Sequence, residues 1–268
     1  MPVGFILFCF RNAAAGEQQK LNTILQMTFE MAVKEVHLLH DGYLELDMGM
    51  LVYMKTQYYG IKYQAALKPL LIITDSENML VDTGIAPLPP SLAKFVKFTK
   101  DIDIVQSLSS YGLSTDDISV VVNTHMHLDH CGNNRLFTRA NYVVQKAELD
   151  YSKNPDRFMR GGYVREFYED LRFETVDGRN EITNGVTVMD TPGHTPGHQS
   201  VIVQAGGRKI VYTGDAAPLL ENLERRDITG IIYDPKKELE SIDRLRAEGG
   251  EVIASHDLLQ MKFDLIVQ

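Results

Sequence analysis

A chain of 268 residues, 44% hydrophobic and 24% charged, is long enough to bury a full core as one large domain or two small ones. Its formal net charge of −9 disfavours nucleic acid or an anionic membrane surface as a partner. Two cysteines, Cys9 and Cys131, cannot build a disulfide framework and suit a reducing compartment, so the expectation is a cytoplasmic protein without a membrane anchor.

The apolar run "GFILFCF" near the start is short, with no Lys or Arg before it, which fits an N-terminal extension better than a signal peptide. Residues 18–34 place Leu21, Ile24, Leu25 and Met31 near helical spacing. The chain therefore divides into an extension over 1–34 with a helix, serving as a dimer arm or a lid, and a catalytic body over 35–268, one domain overall. A homodimer stays open as an alternative to a monomer.

From Val36 the texture changes to short strands: "EVHLLHDGYLEL", then "LLIITD" and "MLVDTG" as a strand–turn–strand pair. "LELDMGMLVYMKTQYYG" reads as a core strand in preference to the wall of an apolar groove. "SLAKFVKFTKDIDIVQSLSSYG" reads as mostly helical, "ISVVV" and "ANYVVQ" as strands, and "KAELDYSKNPDRF" as a helix. A charged helix "VREFYEDL" and a turn "VDGRNEITNG" lead to three strands, "VTVMDT", "SVIVQA" and "KIVYTGD". The helix "PKKELESIDRLRAEGG", closed by glycines, precedes a last strand "EVIAS" that ends at His256. An α/β arrangement, with a pair of sheets covered by helices on their outer faces, satisfies every apolar face.

The chemistry concentrates in "NTHMHLDHCGNN", directly behind "ISVVV". His125, His127, Asp129 and His130 stand on one loop leaving a buried strand, where a rigid scaffold places functional side chains. His194, Asp215 and His256 also follow apolar strands. These seven donors are nitrogen and oxygen only. They exceed what one tetrahedral zinc accepts and suit two ions that share a carboxylate and a hydroxide. Zinc fits such donors, as do iron, cobalt and manganese. Asp82, in "LVDTG", is expected to orient a ligand histidine, while His198 and Cys131 read as packing behind the ligands. His37 and His40 give no signal.

The motifs "THMHLDH", "LVDTG", "DTPGHTPGH", "TGD" and the closing "SH" together resemble the metallo-β-lactamase superfamily, in its order and over most of the chain. The resemblance implies a four-layer αβ/βα sandwich with a dinuclear site at one edge. It implies that His125, His127 and His194 hold one ion, that Asp129, His130 and His256 hold the other, and that Asp215 bridges. Asp129 would also be catalytic, passing a proton to the leaving group.

"HLDHCGNNRLF", "YVVQKAELDY", "TPGHTPGHQS" and "GDAAPLLENLE" resemble the N-acyl homoserine lactonases more closely. That likeness implies opening of a lactone ring by a metal-bridging hydroxide on a small carbonyl substrate with an apolar chain. The alternatives are another lactone, ester or thioester hydrolase of the glyoxalase II kind, or a mononuclear iron oxygenase of the same fold. One departure stands out: the lactonases carry a tyrosine three residues after the bridging aspartate, and this chain has Pro218 there.

Overall fold

The computed structural model describes residues 33–267. The helix read over 18–34 lies outside the described residues, apart from Val33 and Lys34, which belong to a strand. In chain order the strands are β1 (Val33–Leu38), β2 (Tyr43–Asp47), β3 (Lys62–Ala66), β4 (Leu70–Thr74), β5 (Asn78–Val81), β6 (Lys97–Thr99), β7 (Val120–Val122) and β8 (Asn141–Gln145). They continue as β9 (Phe173–Val176), β10 (Asn180–Thr183), β11 (Val186–Asp190), β12 (Gln199–Ala205), β13 (Arg208–Tyr212), β14 (Glu251–Ile253) and β15 (Asp264–Ile266). The helices are α1 (Pro90–Ala93), α2 (Ile104–Ser109), α3 (Lys146–Ser152), α4 (Leu220–Arg225) and α5 (Pro235–Glu248).

One sheet runs β15-β1-β4-β5-β7-β8-β9, a second runs β10-β11-β12-β13-β14, and β3-β2-β6 form a small third sheet. The continuous apolar runs follow from burial on both faces. Leu70, Ile72, Met79, Val81, Val120 and Val122 face Val188, Val201, Val203 and Ile210 of the second sheet. Leu71, Leu80 and Val121 point the other way, onto Ile104 and Leu108 of α2. On the far side Ile202 and Val211 pack against Leu223 of α4 and Ile242 and Leu245 of α5. The result is the expected αβ/βα layering. Among the described residues no helix is long and apolar enough to cross a membrane.

The hairpin β4–β5 and the antiparallel run β11–β12–β13 stand where the sequence places them. Other elements differ. Only α1 and α2 are helical within "SLAKFVKFTKDIDIVQSLSSYG"; Lys97–Thr99 is a strand that turns Phe98 inward, as Val96 before it, and pairs with β2, with Leu44 opposite Phe98. "VREFYEDL" forms a single tight turn, Arg165–Phe167. Arg135 Nε takes the Glu166 carbonyl, an acceptor that a continuing helix would use. Helix α3 stops before Asn154, which precedes a proline. The polar edge segments β9, β10 and β15 carry too few apolar residues to show as strands in the sequence. "LELDMGMLVYMKTQYYG" is strand only to Asp47 and then tight turns, so the core-strand reading fails beyond that point.

Strands β5, β7, β11, β13 and β14 all end at the same edge of the sandwich. Asp82, the 125–130 loop, His194, Asp215 and His256 follow them in turn. Five loops from two sheets therefore converge on one place.

Candidate metal centre

The site begins with Asp82. Its φ of +60° is unusual for a residue with a side chain, and strain of this kind is tolerated where surroundings over-determine it. Here the twist aims the carboxylate at the neighbouring histidine loop. Asp82 Oδ1 accepts the Thr124 N–H at 2.7 Å, and Oδ2 accepts Thr124 Oγ1 at 2.8 Å and His130 Nδ1 at 2.8 Å. Asp82 thus stands directly behind the ring of His130.

The histidines share one arrangement. His130 Nδ1 is bound to Asp82, His194 Nδ1 donates to the Ile231 carbonyl at 2.7 Å, and His256 Nδ1 donates to the Ala66 carbonyl at 2.9 Å. His125 Nδ1 lies 3.0 Å from Thr124 Oγ1, whose proton is already committed to Asp82. Each ring thus has its Nδ1 proton fixed from behind, which leaves the Nε2 lone pair facing inward. His125 Nε2, His130 Nε2 and His256 Nε2 are buried and make no hydrogen bond. His127 differs, because it is Nδ1 that faces His194 Nε2, at 3.0 Å.

Carboxylates meet these lone pairs. Asp215 Oδ1 lies 3.1 Å from His256 Nε2 and 3.3 Å from His130 Nε2, while its Oδ2 lies 3.6 Å from His194 Nε2. Asp129 Oδ2 is 3.7 Å from His256 Nε2 and 3.8 Å from His130 Nε2. The donor atoms of His125, His127 and His194 lie within 4.8 Å of one another, as do those of His125, His130 and Asp215, and those of Asp129, His130 and His256. Ring nitrogens and acidic oxygens converging on one space fit cations, and groupings on either side of Asp215 suit a dinuclear centre.

The electrostatics divide the site in the same way. Burial, reinforced by neighbouring imidazoles, holds His125 and His127 well below the ordinary histidine range. At His130 burial also lowers the pKa, but the carboxylates of Asp215, Asp129 and Asp82 outweigh it and raise it well above that range. Burial likewise opposes ionisation of Asp215, yet His256 and His130 hold its carboxyl well below the usual carboxylate range. One side is a neutral nitrogen cluster and the other attracts positive charge.

His198 is not in this ring of donors. Its Nε2 accepts the Asp215 N–H at 2.9 Å and its Nδ1 meets Thr191 Oγ1 at 2.8 Å, so it holds the backbone that carries Asp215. Cys131 is buried, with Sγ 3.4 Å from the Met126 carbonyl, and packs. His37 and His40 lie elsewhere, bound to Glu35, Asp264 and Asp101.

A cleft of about 280 Å³ opens onto the donors, with Asp129, Asp215, His127, His194 and His256 at its floor. Its walls are Leu44, Leu46, Met50, Leu51, Phe158 and Met159. The segment read as core strand thus supplies much of an apolar wall. Pro218 lies on the lining, and among the described residues no tyrosine does.

Several supporting residues gave no signal in the sequence. Gly162 admits the His127 ring: a Cβ there would come within 2.5 Å of Cδ2. Asp41, fully buried, accepts the Ile85 and Ile104 N–H groups, Asn133 Nδ2 and Lys100 Nζ, tying α2 to the histidine loop. Glu238 accepts the Thr229 N–H at 2.7 Å beneath the loop that meets His194. The only hint at Gly162 was the dipeptide "GG", and nothing marked the two carboxylates.

A sequence profile described as the metallo-β-lactamase superfamily matches residues 70–256. The chain belongs to that superfamily. Within it, the chain is 32% identical over 171 residues to the N-acyl homoserine lactonase AttM of Rhizobium radiobacter, covering 59% of this chain and 65% of that protein. It is 30% identical over 211 residues to the N-acyl homoserine lactonase AiiA of Bacillus thuringiensis subsp. kurstaki, covering 72% and 81%. The fold superposes with a TM-score of 0.74 and 27% identity on an N-acyl homoserine lactone hydrolase with N-hexanoyl-L-homoserine bound at its catalytic metal centre, over 86% of this chain and 96% of that one. The resemblance stated from the motifs agrees with these metallo-β-lactamase relatives.

Proposed function

We propose that the chain is a metal-dependent hydrolase that opens the ring of N-acyl homoserine lactones. The observation that carries the reading is the position of the donor cluster: inward-facing histidine lone pairs and two aspartates form the floor of a cleft whose walls are apolar. His125, His127 and His194 would hold one divalent cation, Asp129, His130 and His256 a second, and Asp215 would bridge. Zinc is the proposed metal, since nitrogen and oxygen donors in small, closed sets suit it. The pair of cations would supply a water made nucleophilic at neutral pH and polarisation of the lactone carbonyl.

The chain's own residues do the rest. Leu44, Leu46, Met50 and Phe158 seat the acyl chain and present the ring to the floor. Asp129, next to the donors and open to the cleft, takes the proton of the attacking water and delivers it to the ring oxygen as the acyl C–O bond breaks. The products are a carboxylate and a hydroxyl on one molecule. Free, buried Cys131 is consistent with work in a reducing cytoplasm.

Pro218 favours a second reading. Without a tyrosine hydroxyl on the lining, stabilisation of about 2–4 kcal/mol at the carbonyl or leaving oxygen is missing, which suits another lactone or an ester with a better leaving group. The deciding experiment is the initial rate of proton release on a short- and a long-chain N-acyl homoserine lactone, with Asp129→Asn as the blank. A kcat/KM of ~10⁴ M⁻¹s⁻¹ or more, lost in the variant, is expected. A rate equal to the variant's overturns the homoserine lactone assignment and leaves the second reading.

A further inference from the structure

We infer that Glu148 is a positioning residue that sets the distance between the two loops bearing His125, His127 and His194; the inference rests on the metal-dependent reading above. Glu148 lies on α3 with no exposed surface. Its Oε1 accepts the Met126 N–H at 3.0 Å and the Tyr163 hydroxyl at 3.0 Å. Its Oε2 accepts the Thr195 hydroxyl at 2.6 Å and the Gly197 N–H at 3.2 Å. Met126 stands between two of the donor histidines, and Thr195 directly follows the third. One carboxylate therefore grips both loops, one oxygen to each.

The grip is close and extends to the rings. A Cβ at Gly197 would fall 2.1 Å from the Glu148 nitrogen, so the second loop rests directly on the start of α3. Tyr163, held by Glu148, sets its ring edge-on to His127 with centroids 4.8 Å apart. The adjacent Gly162 carbonyl accepts the Leu128 N–H at 2.8 Å. Within this frame His127 Nδ1 and His194 Nε2 stand 3.0 Å apart. Two nitrogens each 2.0–2.1 Å from one tetrahedral ion lie roughly 3.3 Å apart, so the frame holds the pair near a shared-cation spacing.

An acceptor-only group is required. All four partners donate, and a carboxylate offers acceptors to all of them. A glutamine must turn its NH₂ toward either the Met126 or the Gly197 N–H, setting two donors face to face at one loop. Without such bonds a buried carboxylate would be replaced at little cost by an apolar side chain. Three bonds to the two loops and a fourth to Tyr163 give it a purpose that fold stability alone does not require.

The test uses full-length protein, stripped of metal and titrated with Zn²⁺ against a chromophoric chelator, with Co²⁺ absorption as a second readout. Glu148→Gln is expected to weaken one of two ions by about 10–100-fold while the other stays within threefold, and to lower kcat with KM nearly constant. Thr195→Val and Tyr163→Phe, each removing one donor, are expected to give smaller losses at the same ion and an altered cobalt spectrum. A folded Glu148→Gln with both affinities unchanged overturns the inference, as does an equal loss at both ions. If Glu148→Gln does not fold, the other two variants decide: selective loss supports the assignment, and wild-type affinities in both overturn it. A wild-type protein that binds two ions yet opens no lactone removes the substrate assignment, while the metal titrations still judge Glu148.

Discussion

Two sets of histidines share this molecule and differ in what lies behind and in front of each ring. His37 is buried in β1 with both nitrogens occupied, Nδ1 by Asp264 and Nε2 by Glu35, each at 2.7 Å. The histidines of the candidate centre are equally buried, but His125, His130, His194 and His256 each have one nitrogen fixed from behind and the other left facing a common space. A histidine completed on both sides is a strut. Several completed on a single side and facing one another form a site in waiting, because buried ring nitrogens without partners are costly. His40 also leaves a buried Nδ1 without a hydrogen bond, so what marks the centre is several such nitrogens converging on acidic oxygens, not burial and not one open nitrogen.

Chelation is the sharpest way to test that difference. Removing metal from the wild-type protein should abolish hydrolysis and return it on adding Zn²⁺, with melting temperature falling in parallel; a chelator-resistant rate would erase the distinction between the two sets. His256→Ala comes next, with an expected loss of about one ion per chain by elemental analysis and on the order of 10²-fold or more in kcat. Asp82→Asn keeps every proposed ligand and loosens the ring of His130 together with the Thr124 contacts behind His125. It should weaken an ion by about 10–100-fold, and affinity equal to wild type would show that fixing Nδ1 does not matter.

The smallest effect belongs to the strut. His37→Phe should leave ion content and kcat unchanged and lower the melting temperature by about 2–4 °C, as expected for roughly 1 kcal/mol in a domain of this size. Its pH dependence has a definite sign. The hydrogen bond from His37 chiefly holds the Asp264 carboxyl below its ordinary value. A carboxyl lowered in the folded state stabilises above the unfolded pKa near 4, and that contribution disappears as pH falls through the folded value. The variant should therefore lack part of the acid-side loss of stability seen in the wild type, and identical acid limbs would show that the pair contributes nothing. Solvent reaches Asp264, so the difference is small.

The comparison also explains what was legible in the sequence. Donor residues stood out because their types are uncommon and each follows an apolar strand, so position and chemistry spoke together. Asp82 was legible for the same reason. Glu148 was not: one acidic residue among Lys146, Asp150 and Lys153 reads as the wet side of a helix, and only packing shows that it faces inward. Leu44, Leu46, Met50 and Leu51 carry the same apolar signal whether they fill a core or wall a cleft. The long buried strands were legible from their unbroken runs, whereas β6, β9 and β15 owe their existence to neighbours they pair with, which local pattern does not record.

The spread of the donors along the chain has a further consequence for how the molecule is made. His130 and His256 lie nearly half the chain apart, yet their loops meet only after two sheets have formed and faced each other. A cation held by both ends closes a long loop, as a crosslink does, and resists unfolding by mass action as long as free ion is present. Such a clasp cannot guide early folding, because its parts arrive with the slowest, most distant contacts. It would instead be fastened last, so that the finished protein falls apart more slowly than its assembly rate alone would suggest.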